Sequence, residues 1–141
     1  MADNANLTLD IVTPTGPVKG ATGVEIPGVE VPGVLGELGV LPQHVPFVSP
    51  IVPGVVRFRE GERSVRIAVG RGFLEVSEGG RVTVLADRAV TPEEVDQAAV
   101  QSALQDVQKK LDEAKEQEPA KRESLMDEQA WLEAQLRAAG N

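Results

Sequence analysis

The sequence predicts an α+β protein: an N-terminal antiparallel β-sandwich over residues 1–88, then a C-terminal antiparallel two-helix hairpin over residues 89–141. Three observations carry that prediction. Up to Ala86 the chain is a succession of short alternating or apolar runs, closed by turn residues and never interrupted by a helical stretch. At Thr91 the period becomes helical, announced by Thr91-Pro92-Glu93-Glu94, which offers an N-cap hydroxyl, a proline at the first helical position and a capping-box glutamate. Charge divides at the same place. Residues 1–90 hold ten acids and eight bases, net −2, whereas residues 91–141 hold twelve acids and six bases, net −6.

In chain order, Leu7-Thr8-Leu9-Asp10-Ile11-Val12 alternates like a half-buried strand, and Thr13-Pro14-Thr15-Gly16 closes it. Val18 begins a short second piece, and Val24-Glu25-Ile26 is a brief strand ended by Pro27-Gly28. Ile26-Pro27-Gly28-Val29-Glu30 is then nearly repeated as Val31-Pro32-Gly33-Val34-Leu35. Proline followed by glycine suits the two central positions of a type II turn, so two successive turns in a loop or bulged edge are expected. The next stretch, Gly36-Glu37-Leu38-Gly39-Val40-Leu41-Pro42-Gln43-His44, reads as a shaped loop with short extended pieces. It displays a carboxylate, either as a contact or merely as a solvated group at a chain reversal. Val45-Pro46-Phe47-Val48 and Ile51-Val52 are edge-like pieces split by prolines.

Glu60-Gly61-Glu62 joins residues 54–59 to residues 63–69 in the clearest hairpin of the chain, with Phe58, Val65, Ile67 and Val69 facing the core. Its arginines read as a solvated strand face, with anion binding the sharper alternative. Phe73-Leu74-Glu75-Val76 and Arg81-Val82-Thr83-Val84-Leu85-Ala86 complete the strands. In the helical part Val100, Leu104, Val107, Leu111 and Ala114 form one seam, and Leu125, Leu132, Leu136 and Ala139 another, with Pro119 between them. Trp131 flanks the second seam as a core residue or a partner contact. Seven large apolar residues give a two-helix unit about 10 to 20 kcal/mol of gross burial, while ordering each residue costs roughly 1 to 2 kcal/mol. The hairpin must therefore borrow apolar surface from the sandwich or from a partner, which predicts a docked and an extended state of similar free energy.

Several function classes are disfavoured. Without cysteine there is no disulfide or thiolate chemistry, and the single histidine cannot build a transition-metal site, so no metal or other cofactor is expected. His44 has no nucleophile beside it, the glycines match no phosphate-binding loop, and no catalytic residues are assigned. Basic residues do not cluster, which argues against nucleic acid as a partner. The first six residues lack the features of a signal peptide and no apolar run reaches about 18 residues, so a cytoplasmic protein without direct membrane insertion is expected. On residues alone the chain reads as an adaptor with a movable helical hairpin.

Leu9-Asp10-Ile11-Val12-Thr13-Pro14, the stretch from Gly36 to Pro46, Pro53-Gly54-Val55-Val56-Arg57, Gly72-Phe73-Leu74-Glu75-Val76 and Val82-Thr83-Val84-Leu85-Ala86-Asp87 resemble, in order and spacing, the epsilon subunits of bacterial and plastid F-type ATP synthases. The resemblance spans about residues 6–88; the hairpin agrees in architecture. It implies a non-catalytic rotor subunit on the cytoplasmic face of the bacterial inner membrane, linking the gamma subunit to the c-subunit ring and coupling proton translocation to ATP synthesis. In many members the hairpin extends to the alpha and beta catalytic subunits and blocks hydrolysis. The resemblance assigns Glu37 to the polar loops of the c ring, and His44 and Ser49 to gamma.

Three departures qualify it. The Pro-Gly segment at 26–35 is longer than is usual in the family, just upstream of Glu37. Some members bind ATP through an Ile/Leu-Asp-x-x-Arg-Ala motif, where Val95-Asp96-Gln97-Ala98-Ala99-Val100 keeps Asp96 but replaces the arginine by Ala99; ATP is expected to bind weakly or not at all, for want of the charge-assisted partner. Inhibitory hairpins offer basic side chains, whereas this one is strongly acidic, so inhibition would rest on a few lysines and Arg122. A nucleotide-sensing module of the same fold and an unrelated β-sandwich adaptor remain the alternative readings.

Overall fold

The computed structural model describes residues 6–114 and 118–140; residues 1–5 of the N-terminal reading and Lys115 among the hairpin's bases lie outside them. The strands are β1 (Leu7–Thr13), β2 (Gly16–Pro17), β3 (Val24–Ile26), β4 (Val29–Gly33), β5 (Gly36–Val40), β6 (Phe47–Ile51), β7 (Gly54–Glu60), β8 (Arg63–Val69), β9 (Gly72–Ser77), β10 (Arg81–Ala86) and β11 (Ala89–Val90). A 3₁₀ turn (Pro92–Glu94) leads to helices α1 (Gln97–Glu113) and α2 (Pro119–Ala138). This is the α+β sandwich-plus-hairpin architecture expected.

Hydrogen-bonded neighbours run β11-β8-β7-β4-β6-β9-β10-β1-β2, with β5 hung on β4 and β3 on β1. The path crosses from β4 to β6 through one residue pair, Gly33 with Ile51, and there the sheet folds over into two layers. Among the described residues pairing is antiparallel except between β1 and β10, the first and last long strands, which lie parallel. Period-2 alternation sends Leu7, Leu9 and Ile11 of β1, Leu74 and Val76 of β9 and Val82 and Val84 of β10 inward. There they meet Val56 and Phe58 of β7 and Ile67 and Val69 of β8, all buried. Phe58, Ile67 and Val69 were expected in this core, and Val65 packs at its margin.

Four local expectations are corrected. Neither Pro-Gly pair makes a type II turn, because Gly28 and Gly33 do not adopt positive φ. The second pair instead lies in β4, in register with β5, and the reversal falls on Val34-Leu35. Gly33 is required for close approach: a Cβ there would meet the Gly36 carbonyl oxygen at 2.9 Å. The stretch from Gly36 is likewise more regular than a loop, since five of its residues form β5; only Leu41 to His44 turn, with Gln43 at φ 70°. Pro50 sits inside a paired strand, tolerated because β6 meets β4 only at Ile51. Finally, the Thr91 signal starts the 3₁₀ turn rather than α1: Thr91 N donates to Glu94 Oε1 at 2.9 Å, but Val95 is extended. Val95 packs into the helical cluster, and α1 restarts behind it with Asp96 as N-cap, its Oδ1 accepting from Ala99 N at 3.1 Å.

The hairpin is docked. Strand β7 carries Val55, and β8 carries Ala68, on the face turned away from the sandwich core, and the two are register partners. Together with Val100, Val107, Trp131, Leu132, Ala134 and Ala138 they make a second buried cluster sharing no residue with the first. The small side chains of Ala68, Ala134 and Ala138 let α2 approach the sheet closely. Arg122 Nη1 donates to the Leu111 carbonyl at 3.1 Å, satisfying an end group of α1 from across the hairpin.

Candidate docking surfaces

Among the described residues nothing covers the layer opposite the hairpin. Register aligns Pro50 of β6 with Phe73 of β9, Phe73 with Leu85 of β10, Leu85 with Val12 of β1, and Val12 with Pro17 of β2. Because alternate residues of a strand share a face, all five stand on the outer side, in one row across five strands. Phe73 is 54% exposed and Leu85 47%, with Val48 one row over at 66%. A contiguous apolar stripe on an open sheet face is a partner-binding feature. Sequence reading missed it, although a signal existed: Phe73 and Leu85 occupy the polar phase of their strands.

Glu37 lies on β5, one residue past Gly36, on the arm of a hairpin whose tip, Val34-Leu35, is exposed and apolar. Its carboxylate is not free. Arg57 Nη1, from the outward face of β7, donates to Glu37 Oε1 at 3.1 Å, with both side chains partly in solvent. His44 is in the turn beyond the far end of β5, exposed, its ring centroid 4.9 Å from that of Phe47 and its Nδ1 3.1 Å from the Val45 carbonyl. Ser49 is half-buried on β6, sharing the inward face with Phe47 and Ile51, and its Oγ donates to the Pro50 carbonyl at 3.1 Å. The structure therefore separates Glu37 from His44 along β5. It turns the neighbours of Ser49, Val48 and Pro50, outward in its place. Asp96 is occupied as a helix cap, and Ala99 beside it offers no cation.

The docked hairpin is held at its margin by two arginines from the loops flanking β9 and β10. Gly70 N donates to the Arg88 carbonyl and Asp87 N to that of Arg71, each at 2.8 Å, so the two loops are zipped together. From them Arg71 Nε reaches Asp127 Oδ2 at 2.7 Å and Arg88 Nη2 reaches Glu128 Oε1 at 2.6 Å, both on α2. The Arg88 guanidinium also lies 4.6 Å from the centroid of Trp131, which is buried as a core residue rather than offered to a partner. Among the described residues no helix is long and apolar enough to cross a membrane.

Comparison with known proteins agrees with this arrangement. Residues 6–92 match the family model of the ATP synthase delta/epsilon chain β-sandwich domain. An ATP synthase epsilon chain of Magnetococcus marinus is 42% identical over 130 residues, 92% of this chain and 91% of that one. The chain belongs to the ATP synthase epsilon chain family. Another member, from Anaeromyxobacter, is 42% identical over 79% of this chain and 82% of its own. In a cryo-EM structure of the Euglena gracilis mitochondrial ATP synthase, comprising OSCP, F1 and c-ring, one chain has the same fold at TM-score 0.80. It is 24% identical, and the match covers 97% of this chain and 82% of that one. The central stalk and c-ring structure from Tetrahymena thermophila gives TM-score 0.53 at 12% identity, covering 64% and 69%. The family resemblance drawn from the sequence motifs thus holds over the sandwich, and the Magnetococcus relative extends it through the hairpin.

Proposed function

We propose that this chain is a non-catalytic rotor subunit of an F-type ATP synthase, joining the gamma subunit to the c-subunit ring at the cytoplasmic face of the membrane. The observation that carries the reading is the unequal fate of the two outer sheet faces among the described residues: α2 covers one, while the other presents Pro50, Phe73 and Leu85 exposed, with Val12 half-buried in the same row. Gamma seats on that bare stripe, with Val48 and the His44–Ser49 segment at its border. The apolar Val34-Leu35 tip and Glu37 point the adjoining hairpin at the c ring. Torque passes through the sandwich because its core is continuous between the layers and packed, so the two contacts move as one rigid body.

The helical hairpin serves regulation as a unit of its own: of residues 89–141, Ala89–Val90 still belong to the sheet as β11, and the two helices follow. In the docked state its apolar seam is spent on β7 and β8, so contact with the alpha and beta subunits requires undocking. Arg122 closes the hairpin in this state; Lys109, Lys110, Lys121 and Arg137 are its exposed bases among the described residues. With Asp96 capping α1 and no arginine at position 99, ATP does not serve as the effector.

Reconstituting the synthase with the full chain, without it, and with a chain ending after Val95 tests the reading. Proton pumping is expected to depend on the chain and to survive loss of the hairpin, while hydrolysis rises on truncation. Pumping without the chain would refute the coupling role. Equal hydrolysis rates with and without the hairpin would remove the regulatory one.

A further inference from the structure

We propose that Arg57 is a positioning residue for Glu37, so that the c-ring contact is made by an oriented acid–base pair rather than by a lone carboxylate. The inference rests on the reading of Glu37 given above. Three features support it.

The first is that the two residues are brought together by rigid elements. The β4–β5 hairpin is seated on the start of β7 by Pro32, whose ring occupies the space a side chain at Gly54 would need: a Cβ there would lie 2.5 Å from Pro32 Cβ. Val52 N also donates to the Pro32 carbonyl at 3.0 Å. Glu37 is the register partner of Pro32 on β5, so this clamp fixes its backbone relative to β7. The second Pro-Gly pair thereby places Glu37 within reach of Arg57.

The second feature is the charge around Arg57. Its register partner on β8 is Arg66, and like charges directly opposite on one sheet face repel. On the other side its partner is Glu30 of β4. Repulsion from one side and acids on the other bias the guanidinium toward the β4–β5 arm, where it bonds Glu37.

The third is what the bond leaves available. Arg57 engages Oε1 only, through one nitrogen, and Glu37 remains half exposed. The bond to Oε1 restrains the carboxylate and leaves Oε2 for a donor on the partner. A glutamate at the arm of an exposed hairpin would otherwise sample several rotamers, and its ordering on contact would weaken the engagement.

The test uses the assembled synthase in vesicles, reading ATP-driven proton pumping per ATP hydrolysed. Glu37→Gln and Arg57→Gln are each expected to lower that ratio by about two- to fivefold, the scale of an exposed, geometry-dependent charge pair. The double variant should be no worse than either single one, and Arg57→Lys, which keeps the charge, should restore most of the loss. Melting temperature and gamma binding should not change, which separates positioning from folding. An Arg57→Gln variant that pumps normally while Glu37→Gln does not, or a double variant in which the losses multiply, overturns this inference alone. A normal Glu37→Gln ratio overturns the c-ring reading and this inference with it.

Discussion

Replacing Trp131 by alanine should release the helical hairpin while leaving the sandwich intact. The indole is only 5% exposed and packs in the cluster formed by Val55, Ala68 and the helices, with Arg88 lying over its ring. Truncating a buried tryptophan costs about 3 to 5 kcal/mol. The lower end applies here because Trp131 lies at the rim, beneath an arginine that is itself partly in water, so solvent can fill part of the space. That figure is the cost of truncating the whole side chain, so it already contains the lost cation–π contact, about 0.5 to 1 kcal/mol of it. At 1.4 kcal/mol per factor of ten, a net cost of about 3 kcal/mol is a population shift of roughly 150-fold. Amide hydrogen exchange of the free chain, followed by mass spectrometry, should show protection in α1 and α2 falling by up to two orders of magnitude, the full drop requiring a docked state favoured by at least that factor in the parent. Protection of β1, β9 and β10 should stay within a factor of about two, since the inter-layer core shares no side chain with the helical cluster. If both regions lose protection equally, hairpin and sandwich unfold as one unit and the separable-hairpin argument fails. If neither does, Trp131 does not carry the docking.

Phe73→Asp should weaken gamma binding by about 30-fold or more, the loss typical of an aromatic anchor at an interface, with a melting temperature close to that of the parent because the side chain is exposed; surface plasmon resonance on purified gamma reads it. Removing both marginal ion pairs in Arg71→Ala/Arg88→Ala should lower hairpin protection by about 2- to 30-fold at low salt, with the difference from the parent shrinking at 0.5 M salt (roughly a 4 Å Debye length) as screening removes the charge contribution. Asp96→Ala should cost about 1 kcal/mol through the lost helix cap, seen as faster exchange in the first turn of α1. Titration calorimetry of the parent chain with ATP should give no micromolar binding.

Much of the fold was legible because its signals are local. Alternation at residues 7–12, 63–69 and 81–86 fixes which side chains face inward, and Glu60-Gly61-Glu62 fixes the hairpin between β7 and β8. The Thr91 capping box marks the end of the sheet to within a few residues. It does not mark the start of α1, because a capping box specifies one turn, whereas the need to bury Val95 decides whether the turn continues. The Pro-Gly pairs mislead for a similar reason. Proline and glycine permit a type II turn, but here proline seats the hairpin on Gly54 and glycine admits a neighbouring backbone, roles visible only once β4 has found β5 and β7.

By itself, then, the sequence determined the two units, the inward face of each strand, the two helical seams and, through its motifs, the family. The tertiary structure alone decided which outer face is covered. Val55 and Ala68 sit out of phase on β7 and β8, and Phe73 and Leu85 sit out of phase on β9 and β10; as sequence these are the same signal. Docking α2 on the first pair buries it and leaves the second for a partner. The pairing of Arg57 with Glu37, and of Arg88 with Glu128 and Trp131, arises in the same way. Side-chain phase is set by the chain's own period of two, but what lies against a face is set by register and packing between residues tens of positions apart, and no local pattern records them.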